Sequence, residues 1–421
     1  MIQKLRNLNI SEAIFYLVCF ALPINLGKHF EVLWSYFNGL LIDYYIPTLF
    51  ITDLLIIILI ISWFLTGFKA KRTIPFYSFY IVALLIFTLI ISLLFNENVQ
   101  PGFYQLGRIL LYLGFFAYGY CNFDFKTDTP RLIYVLSFSA FFVSVLALGQ
   151  WFKQGSVFNN YLFFGEQPYS FSTWGIIHDD FLGYTKIPAY SLFRHPNSLA
   201  AYLVIVLLLQ GYLLVNGKGR GVLFLLAIIN IFSLVTTLSY FSWAVLSWSS
   251  LCFLISYVRP RLKVFLIITT VVLVTLLHVF PIFDLTSQNR IYNISIQRRS
   301  YMLKESLSIF ERSPLYGVGF FNNLRHMDSY SQGIGDFRFI QPVHSVFALI
   351  LSELGIVAFT LLIMLLAWLG VRVRSSLQVS LYVAILLFMS FDHYFITSQQ
   401  LYLLILLTLV ILITYNFSNE V

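Results

Sequence analysis

Residues 196–215 read PNSLAAYLVIVLLLQGYLLV, a run of twenty residues without a charged side chain. A transmembrane α-helix needs about 20 such residues to cross the roughly 30 Å hydrocarbon core of a bilayer. Runs of similar character recur along the chain, whereas short segments that alternate apolar and polar residues, as in an outer-membrane barrel, are absent. The sequence therefore predicts an all-α, polytopic membrane protein.

The composition of the 421 residues supports this prediction. Apolar and aromatic residues make up 59% of the chain and charged residues only 10%, with a mean hydropathy of +0.83. A soluble globular protein has about 45–50% apolar and about 25% charged residues. So few charges cannot cover the surface of a 48.8 kDa globule, which excludes a water-soluble protein.

The net charge of +8 comes from short basic clusters that lie between apolar runs. This distribution argues against a nucleic-acid partner. The clusters fall at alternate loops, which the positive-inside rule places in the cytoplasm. They are Lys4 and Arg6; Lys69, Lys71 and Arg72; Lys218 and Arg220; Arg259, Arg261 and Lys263; and Arg372 and Arg374.

Apolar runs and basic clusters together predict about twelve transmembrane helices in a single integral membrane domain, 1–421, with both termini cytoplasmic. The first run follows a basic start without a cleavage site, so we interpret it as an uncleaved helix. The junction at 238–240 has little polar punctuation, and merging the two spans there would invert every later one. The predicted spans are 11–27, 46–66, 75–95, 102–121, 131–152, 196–215, 220–238, 240–258, 264–281, 343–370, 377–395 and 399–415.

Two segments predicted to face outward, at about 153–195 and 282–342, are too long to be turns. Their aromatic content favours loops that fold over the membrane surface. In the second loop, 298–312 is predicted to form an amphipathic helix that ends before Pro314 and Gly317-Val318-Gly319.

Arg298 and Arg299 stand at the start of this predicted helix, where the helix dipole disfavours cations. Free backbone N–H groups and guanidinium groups bind phosphate well. The placement therefore favours an anionic ligand, whereas the other basic residues of the loop are interpreted as solvated charges.

His344 lies where the second loop re-enters the membrane, in Gln341-Pro342-Val343-His344-Ser345. A neutral imidazole there can take a proton from an attacking hydroxyl; a structural histidine is the alternative. Glu353 follows within an apolar run, where a carboxylate needs a cavity or a partner. We expect Glu353 either to orient a catalytic group or to cap a neighbouring loop.

Further polar residues lie close to membrane depth. Arg194-His195-Pro196-Asn197 opens the sixth span, either as a helix cap or as part of a site. Arg108, Asp53 and Asp392 are candidates to line a cavity, and each is alternatively a structural partner.

The sequence predicts neither a metal nor a cofactor. Cys19, Cys121 and Cys252 are too widely spaced for a disulfide framework or a metal site. A glycine-rich phosphate loop and a His-Glu-x-x-His motif are both absent.

Three stretches between about 190 and 360 resemble motifs of the O-antigen ligase and O-antigen polymerase group of bacterial membrane proteins. The first stretch, 191–200, contains His195-Pro196-Asn197. The second runs from Arg299 through Pro314 to Gly317-Val318-Gly319, and the third joins His344-Ser345 to Glu353-Leu354-Gly355-Ile356. Their order, their outward placement and the twelve spans make the combination specific.

The resemblance implies a membrane glycosyltransferase of polysaccharide or lipopolysaccharide biosynthesis, located in the bacterial cytoplasmic (inner) membrane of the cell envelope. The donor would be an undecaprenyl-diphosphate-linked oligosaccharide, and the acceptor a glycan, a lipid or a protein on the outer side. Carried over, Arg299 holds the diphosphate and His344 is the general base. Attack opposite the diphosphate would invert the anomeric centre without a metal.

Two positions depart from the family pattern. The family often has Ser-Arg after its seventh span, where this chain has Ser239-Tyr240. Tyr240 would then line the cavity, and Arg298, Arg194 or Arg108 would supply the second diphosphate contact. Ser345 also replaces the usual Asn beside the histidine.

Two alternatives stay open. Within the family, a ligase joins a finished glycan to a lipid or protein, whereas a polymerase joins repeat units. Outside it, a lipid-linked glycan flippase or transporter would place Arg108, Asp53 and Asp392 around a cavity at the bilayer midplane. The other candidate residues gather at the outer face, which favours an enzyme.

Overall fold

The computed structural model of the protein describes residues 9–72, 76–94, 96, 98–217, 220–279, 290–327 and 341–417. Most of them are helical, and each of the twelve predicted spans contains a helix. The helices in chain order are α1 (Ile10–Ala21), α2 (Ile51–Leu65), α3 (Phe76–Leu94), α4 (Val99–Asn122), α5 (Phe125–Lys153), α6 (Pro196–Val215), α7 (Arg220–Thr236), α8 (Tyr240–Val258), α9 (Lys263–Val279), α10 (Arg290–Arg312), α11 (Asn323–His326), α12 (Val346–Val371), α13 (Ser376–Phe391), α14 (Tyr394–Thr397) and α15 (Gln399–Phe417).

Four helices, α5, α6, α8 and α12, are long and apolar enough to cross a membrane. Shorter apolar helices are α1, α2, α7, α13 and α15 with Ala83–Leu94 of α3. The chain is therefore a multi-pass membrane protein. Helix α6, the run that predicted this fold, is central: it packs against α5, α7, α8 and α13, and nearly every side chain along it is buried.

The junction at 238–240 separates two helices, as predicted. Helix α7 ends at Thr236 and α8 begins at Tyr240. Leu238 has a φ of +49°, a left-handed conformation that α-helices of L-residues exclude. The left-handed backbone at Leu238 therefore separates the two helices, although the sequence there has few strongly polar residues.

The connection between α1 and α2 is folded, which the sequence analysis did not predict. Strand β1 (Gly27–His29) pairs antiparallel with β4 (Thr48–Phe50), and the intervening chain forms the hairpin of β2 (Tyr36–Phe37) and β3 (Leu40–Leu41). The predicted span 46–66 thus begins five residues too early, because the mostly apolar residues 46–50, which include strand β4, extend the apolar run of the helix.

The loop at 153–195 forms the hairpin of β5 (Asp179–Phe181) and β6 (Tyr184–Lys186). Its base is fixed by the fully buried carboxylate of Glu166. Glu166 accepts hydrogen bonds from the side chain of Gln150 at 2.8 Å and from the amides of Val157 and Phe158 at 2.7 Å each. Three hydrogen bonds to one buried carboxylate therefore hold the base of this loop in place.

In the second outward loop, α10 packs along α12. Met302, Ser306 and Ile309 form its buried face, whereas Leu307 is 42% exposed. Part of the predicted loop, 282–289 and 328–340, lies outside the described residues.

The glycine motif after α10 interlocks with α12. The amides of Val318 and Gly319 donate to the carbonyls of Ser352 and Glu353 at 3.0 Å each. Gly355 interrupts α12 with a φ of +70°, and a Cβ there would lie 2.3 Å from the carbonyl oxygen of Leu315. Two motifs that are separate in sequence therefore form one backbone junction, and glycine is required at Gly355.

Candidate functional site

His344 lies in the segment that leads into α12. The next residue, Ser345, is the N-cap of α12, and its hydroxyl accepts a hydrogen bond from the amide of Ala348 at 3.3 Å. Serine and asparagine are both strong N-cap residues, so the departure at Ser345 preserves this cap. The cap fixes the backbone beside His344, whose side chain is 9% exposed.

Asp392 approaches His344 from the end of α13. The predicted span 377–395 is too long, because α13 ends at Phe391 and Asp392 begins a polar turn. Asp392 Oδ1 lies 3.4 Å from His344 Nδ1. Burial acts to raise the pKa of Asp392, but His344, His393 and Arg299 together lower it to about 2. The carboxylate is therefore ionised at neutral pH and stabilises a positive imidazolium.

The other nitrogen of His344, Nε2, lies 3.3 Å from Gln341 Oε1. An amide oxygen only accepts hydrogen bonds, so Nε2 carries the proton in this contact. The two edges of the imidazole ring thus face different partners.

Arg299 and Asp392 line one cavity of about 20 Å³, which has room for about one water molecule. We call it the apolar cavity, because most of its wall is hydrocarbon. It brings together three predicted site residues: Arg299, Asp392 and Asn197. The remaining lining residues are Ala201, Phe241, Ser242, Phe388, Phe391, Tyr394, Phe395 and Leu401.

A second cavity of about 260 Å³ has a wall rich in amides, hydroxyls and charges, and we call it the polar cavity. Tyr394 lines both cavities, and Gln341 lines the polar one. His344 therefore faces a lining residue of the apolar cavity with Nδ1 and one of the polar cavity with Nε2. The polar cavity is lined by Asn25, Asp43, Tyr44, Ile46, Thr48, Phe50, Gln105, Arg108, Arg194, His195, Ser198, Gln341, Tyr394, Thr397, Ser398, Gln399 and Gln400.

Arg194 is held at the polar cavity by the connection between α1 and α2. It forms an ion pair with Asp43 at 2.8 Å and donates to His29 Nε2 at 3.1 Å. Burial and the charge of Arg194 lower the pKa of His29. Arg194 thus lines the polar cavity, whereas Arg299 lines the apolar one.

Arg108 also lines the polar cavity, and its partners lie in α2 and α4. It donates to the Tyr112 hydroxyl at 2.8 Å, which in turn donates to Asp53 Oδ1 at 2.7 Å. Asp53 also accepts a hydrogen bond from the amide of Phe50 at 2.9 Å. Asp53 is therefore a structural partner and does not line the polar cavity. Arg108 forms a structural contact and also lines the cavity.

The expected helix start at Arg298 is wrong. Helix α10 begins at Arg290, so Arg298 and Arg299 lie about two turns inside it. Their backbone N–H groups are used within the helix and are not free for phosphate. The amphipathic pattern predicted only the second half of α10, because the first half, RIYNISIQ, mixes polar and apolar residues without a clear helical period. The group available to bind an anion is therefore the Arg299 guanidinium and not a helix N-terminus.

Glu353 contacts a loop instead of His344. Its carboxylate accepts hydrogen bonds from the amides of Phe321 at 3.0 Å and Asn323 at 3.2 Å, and the residue is 6% exposed. A helix rises about 1.5 Å per residue, which puts Glu353 about 12 Å along α12 from Ser345. These contacts correspond to the capping role, one of its two predicted roles.

Tyr240 lies at the first position of α8, beside the hairpin of β5 and β6. Its hydroxyl donates to the carbonyl of Asp180 at 3.4 Å, and the side chain is 38% exposed. Tyr240 is not among the residues that line the apolar and polar cavities.

Sequence reasoning missed His393, which is completely buried next to Asp392. Its ring centroid lies 5.1 Å from that of His344. The signal was the polar pair Asp392-His393 within an apolar run, which the predicted span absorbed. Gln341 and Asp43 were also missed as site residues, because their placement depends on distant parts of the chain.

Fold and site define a multi-pass membrane protein in which a histidine contacts a carboxylate of an apolar cavity, lined also by an arginine, and an amide of a polar cavity. Residues 222–363, about a third of the chain, match the family model described as O-antigen ligase. The protein therefore contains an O-antigen ligase domain, of an enzyme family that transfers glycans in polysaccharide and lipopolysaccharide synthesis.

The match confirms the resemblance stated from the motifs, and it includes Arg299, His344 and Glu353. It does not include Arg194, Asn197, Asp392 or His393, which the fold brings to the same region. No curated protein matches the chain.

Proposed function

We propose that the protein transfers a glycan from an undecaprenyl-diphosphate carrier to an acceptor hydroxyl on the outer side of the bacterial cytoplasmic membrane, as a polysaccharide polymerase or ligase. The observation that carries this proposal is the position of His344 between two cavities, with Asp392 at Nδ1 and Gln341 at Nε2. A base between two binding spaces suits a reaction that joins two substrates. The O-antigen ligase domain supports glycan transfer as the reaction class.

We assign the donor diphosphate to the apolar cavity. Arg299 is the single cation among its lining residues, and a guanidinium stabilises the charge that develops on a leaving diphosphate. The phenyl rings of Phe241, Phe388 and Phe391 suit the hydrocarbon of a polyprenyl carrier. The free space of about 20 Å³ must widen to admit the donor. Tyr240 supplies no positive charge, so we assign the second diphosphate contact to Arg298, the neighbour of Arg299 in α10.

We assign the acceptor to the polar cavity. Its volume of about 260 Å³ lies just below the roughly 300–1,000 Å³ of ordinary ligand pockets and suits a terminal sugar. Side-chain amides and hydroxyls such as those of Gln105, Ser198 and Gln400 hydrogen-bond sugar hydroxyls. Gln341 connects this cavity to His344 Nε2.

In the proposed reaction, the acceptor hydroxyl replaces Gln341 Oε1 at His344 Nε2, while the ring carries its own proton on Nδ1 toward Asp392. Nε2 takes the hydroxyl proton as the oxygen attacks the anomeric carbon. The bond from that carbon to the diphosphate oxygen breaks with its electron pair, and Arg299 stabilises the departing undecaprenyl diphosphate. Attack opposite the leaving group inverts the anomeric centre, and no step uses a metal.

The test uses the purified full chain, a synthetic undecaprenyl-diphosphate oligosaccharide and EDTA. His344→Ala is expected to lose transfer by about 10²- to 10⁴-fold, the usual contribution of a general base. His178→Ala is the matched control, because His178 contacts the carbonyl of Phe171 in the loop before α6, away from both cavities. Product length then separates polymerase from ligase.

Transfer by His344→Ala at the wild-type rate in EDTA would contradict the proposed base. Movement of the same lipid across vesicles that contain the wild-type protein, without any transfer, would instead show a flippase.

A further inference from the structure

Three potential metal ligands converge beside the base. One ligand atom from each of His344, Asp392 and His393 lies within 4.8 Å of the other two. Two ring nitrogens of this cluster, Nδ1 of His344 and Nε2 of His393, are buried without a hydrogen-bond partner among the described residues. A buried polar atom without a partner destabilises a fold, so the cluster favours a further group between the three side chains.

The hydrogen bonds around the cluster decide which nitrogens carry lone pairs. The Thr397 hydroxyl donates to the carbonyl of His393, so its oxygen accepts from His393 Nδ1 at 2.7 Å. Nδ1 of His393 is therefore the protonated nitrogen, and Nε2 carries the lone pair. In His344 the contact with Gln341 Oε1 puts the proton on Nε2, which leaves the lone pair on Nδ1.

Two ring nitrogens without hydrogens and a carboxylate thus belong to one largely buried cluster, an arrangement that is unfavourable without a proton or a metal ion between them. It is also the arrangement of a metal site. A histidine that binds a metal usually donates its other ring N–H to a neighbouring acceptor, which fixes the tautomer. Thr397 and Gln341 are in the positions of these acceptors.

One distance within the cluster suits a tetrahedral ion. Zn²⁺ binds histidine nitrogen and carboxylate oxygen at about 2.1 Å, which puts neighbouring ligand atoms about 3.4 Å apart. His344 Nδ1 and Asp392 Oδ1 are 3.4 Å apart. Imidazole favours zinc and its neighbours in the first transition series over Mg²⁺ or Ca²⁺.

We propose that His344, Asp392 and His393 bind a divalent transition-metal ion, with Zn²⁺ as the best fit, and that the bound ion switches glycan transfer off. The inhibitory part rests on the proposed function. A metal bond at Nδ1 keeps the remaining proton of the His344 ring on Nε2, so Nε2 has no lone pair for the acceptor hydroxyl. The ion also engages Asp392, which the free enzyme uses to stabilise the imidazolium.

The test first measures binding, independently of activity, with the full chain in detergent and Co²⁺ as a spectroscopic probe that Zn²⁺ displaces. The wild type and the control His178→Gln are expected to bind one equivalent with a tetrahedral spectrum, and His393→Gln is expected to bind none. Thr397→Val keeps the side-chain shape but removes the acceptor, so it should weaken binding by about 10- to 100-fold. Thr397→Val remains informative if His393→Gln does not fold.

Activity is then measured with EDTA and with Zn²⁺. The wild type should transfer glycan in EDTA and lose transfer at one equivalent of Zn²⁺, whereas the rate of His393→Gln, whatever its value in EDTA, should not change when Zn²⁺ is added. Absence of a Co²⁺ or Zn²⁺ complex would overturn the metal site and leave the proposed function intact, with a proton between His344 and Asp392 instead. Transfer that requires Zn²⁺ would overturn the inhibitory role and the metal-independent reaction. Stoichiometric binding with no transfer under either condition would count against the proposed function and its inhibition, but not against the site.

Discussion

Nδ1 of His344 and Oδ1 of Asp392 lie 3.4 Å apart, although one residue precedes α12 and the other follows α13. The short connection 372–375 makes α12 and α13 an antiparallel pair. The start of the first helix and the end of the second therefore meet at the same end of the pair. The contact joins a motif of the O-antigen ligase domain to a residue beyond the matched region.

Asp392→Asn should slow transfer with little change in KM, because the carboxylate stabilises the imidazolium and does not hold substrate in the proposed reaction. The expected loss in kcat is about 10²- to 10⁴-fold, similar to loss of the base itself. Initial rates measured against acceptor concentration in EDTA check this. Asp180→Asn, at an exposed carboxylate in β5, should keep the wild-type kcat. A change confined to KM would contradict the positioning role.

Arg299→Ala should weaken use of the donor more than use of the acceptor, because Arg299 is the cation of the apolar cavity. Arg299→Lys should restore only part of the activity, since lysine cannot form the planar, bidentate contact with a diphosphate. The measurement is kcat/KM for the donor in each variant. Lys304→Ala, an exposed position of the same helix, is the control. Equal effects of the Arg299 and Lys304 variants would contradict the assignment of the diphosphate to Arg299.

Gly355→Ala should destabilise the fold by about 3 kcal/mol or more, because a side chain at this φ is strained and its Cβ meets backbone. The φ is +70°, and the nearest atom, the carbonyl oxygen of Leu315, would be 2.3 Å away. Gly211→Ala in α6 meets nothing within 4 Å and should be neutral or stabilising. Thermal unfolding in detergent compares the two variants, and similar midpoints would show that α12 tolerates a regular helix at Gly355.

Stability should fall on acidification partly because of His195. Burial and the charges of His344 and Arg299 lower the pKa of His195 to about 4, although the charge of Asp392 acts to raise it. In the unfolded chain the pKa is about 6.5, so the unfolded state binds the proton first as the pH falls. Stability from this group is therefore complete above pH 6.5 and lost progressively toward pH 4.

His195→Asn should flatten this dependence. The asparagine keeps a cap for the amide of Asn197, which His195 Nδ1 accepts at 3.1 Å, but it does not titrate. Unfolding midpoints between pH 7 and pH 4 test the prediction, with His178→Asn as the control. Parallel curves for the wild type and His195→Asn would show that other groups cause the acid sensitivity.

The sequence predicted the helices well because long apolar runs have few alternatives in a bilayer. The errors occur where the polarity of the sequence and the end of a helix change at different residues. The span to 395 hid Asp392 and His393, because two polar residues hardly alter the average over an apolar run. The start of α10 was missed for a different reason: the polar and apolar residues of its first turns, RIYNISIQ, alternate without a clear helical period.

The candidate site was predictable only where a residue type and its position imply chemistry without knowledge of the packing. His344 and Arg299 satisfy this condition, since each is an ionisable residue at a boundary of an apolar run. The connection between α1 and α2 contributes Asp43 and Tyr44 to the polar cavity through a hairpin that pairs residues far apart in the chain. No local pattern marks such a contact, so the acceptor side of the site required the structure.

The junction of Gly319 with α12 has a consequence for how this site tolerates change. The helix that carries Arg299 and the helix that follows His344 are joined by amide-to-carbonyl bonds, from Val318 to Ser352 and from Gly319 to Glu353. Both bonds join backbone atoms, so their register depends on the number of residues in the segment. Side-chain substitutions at positions of this segment other than Gly317 and Gly319, which have positive φ and no room for a Cβ, leave these bonds in place. Inserting or deleting one residue between Arg312 and Gly319 would instead shift the bonding register and carry the arginine away from the histidine.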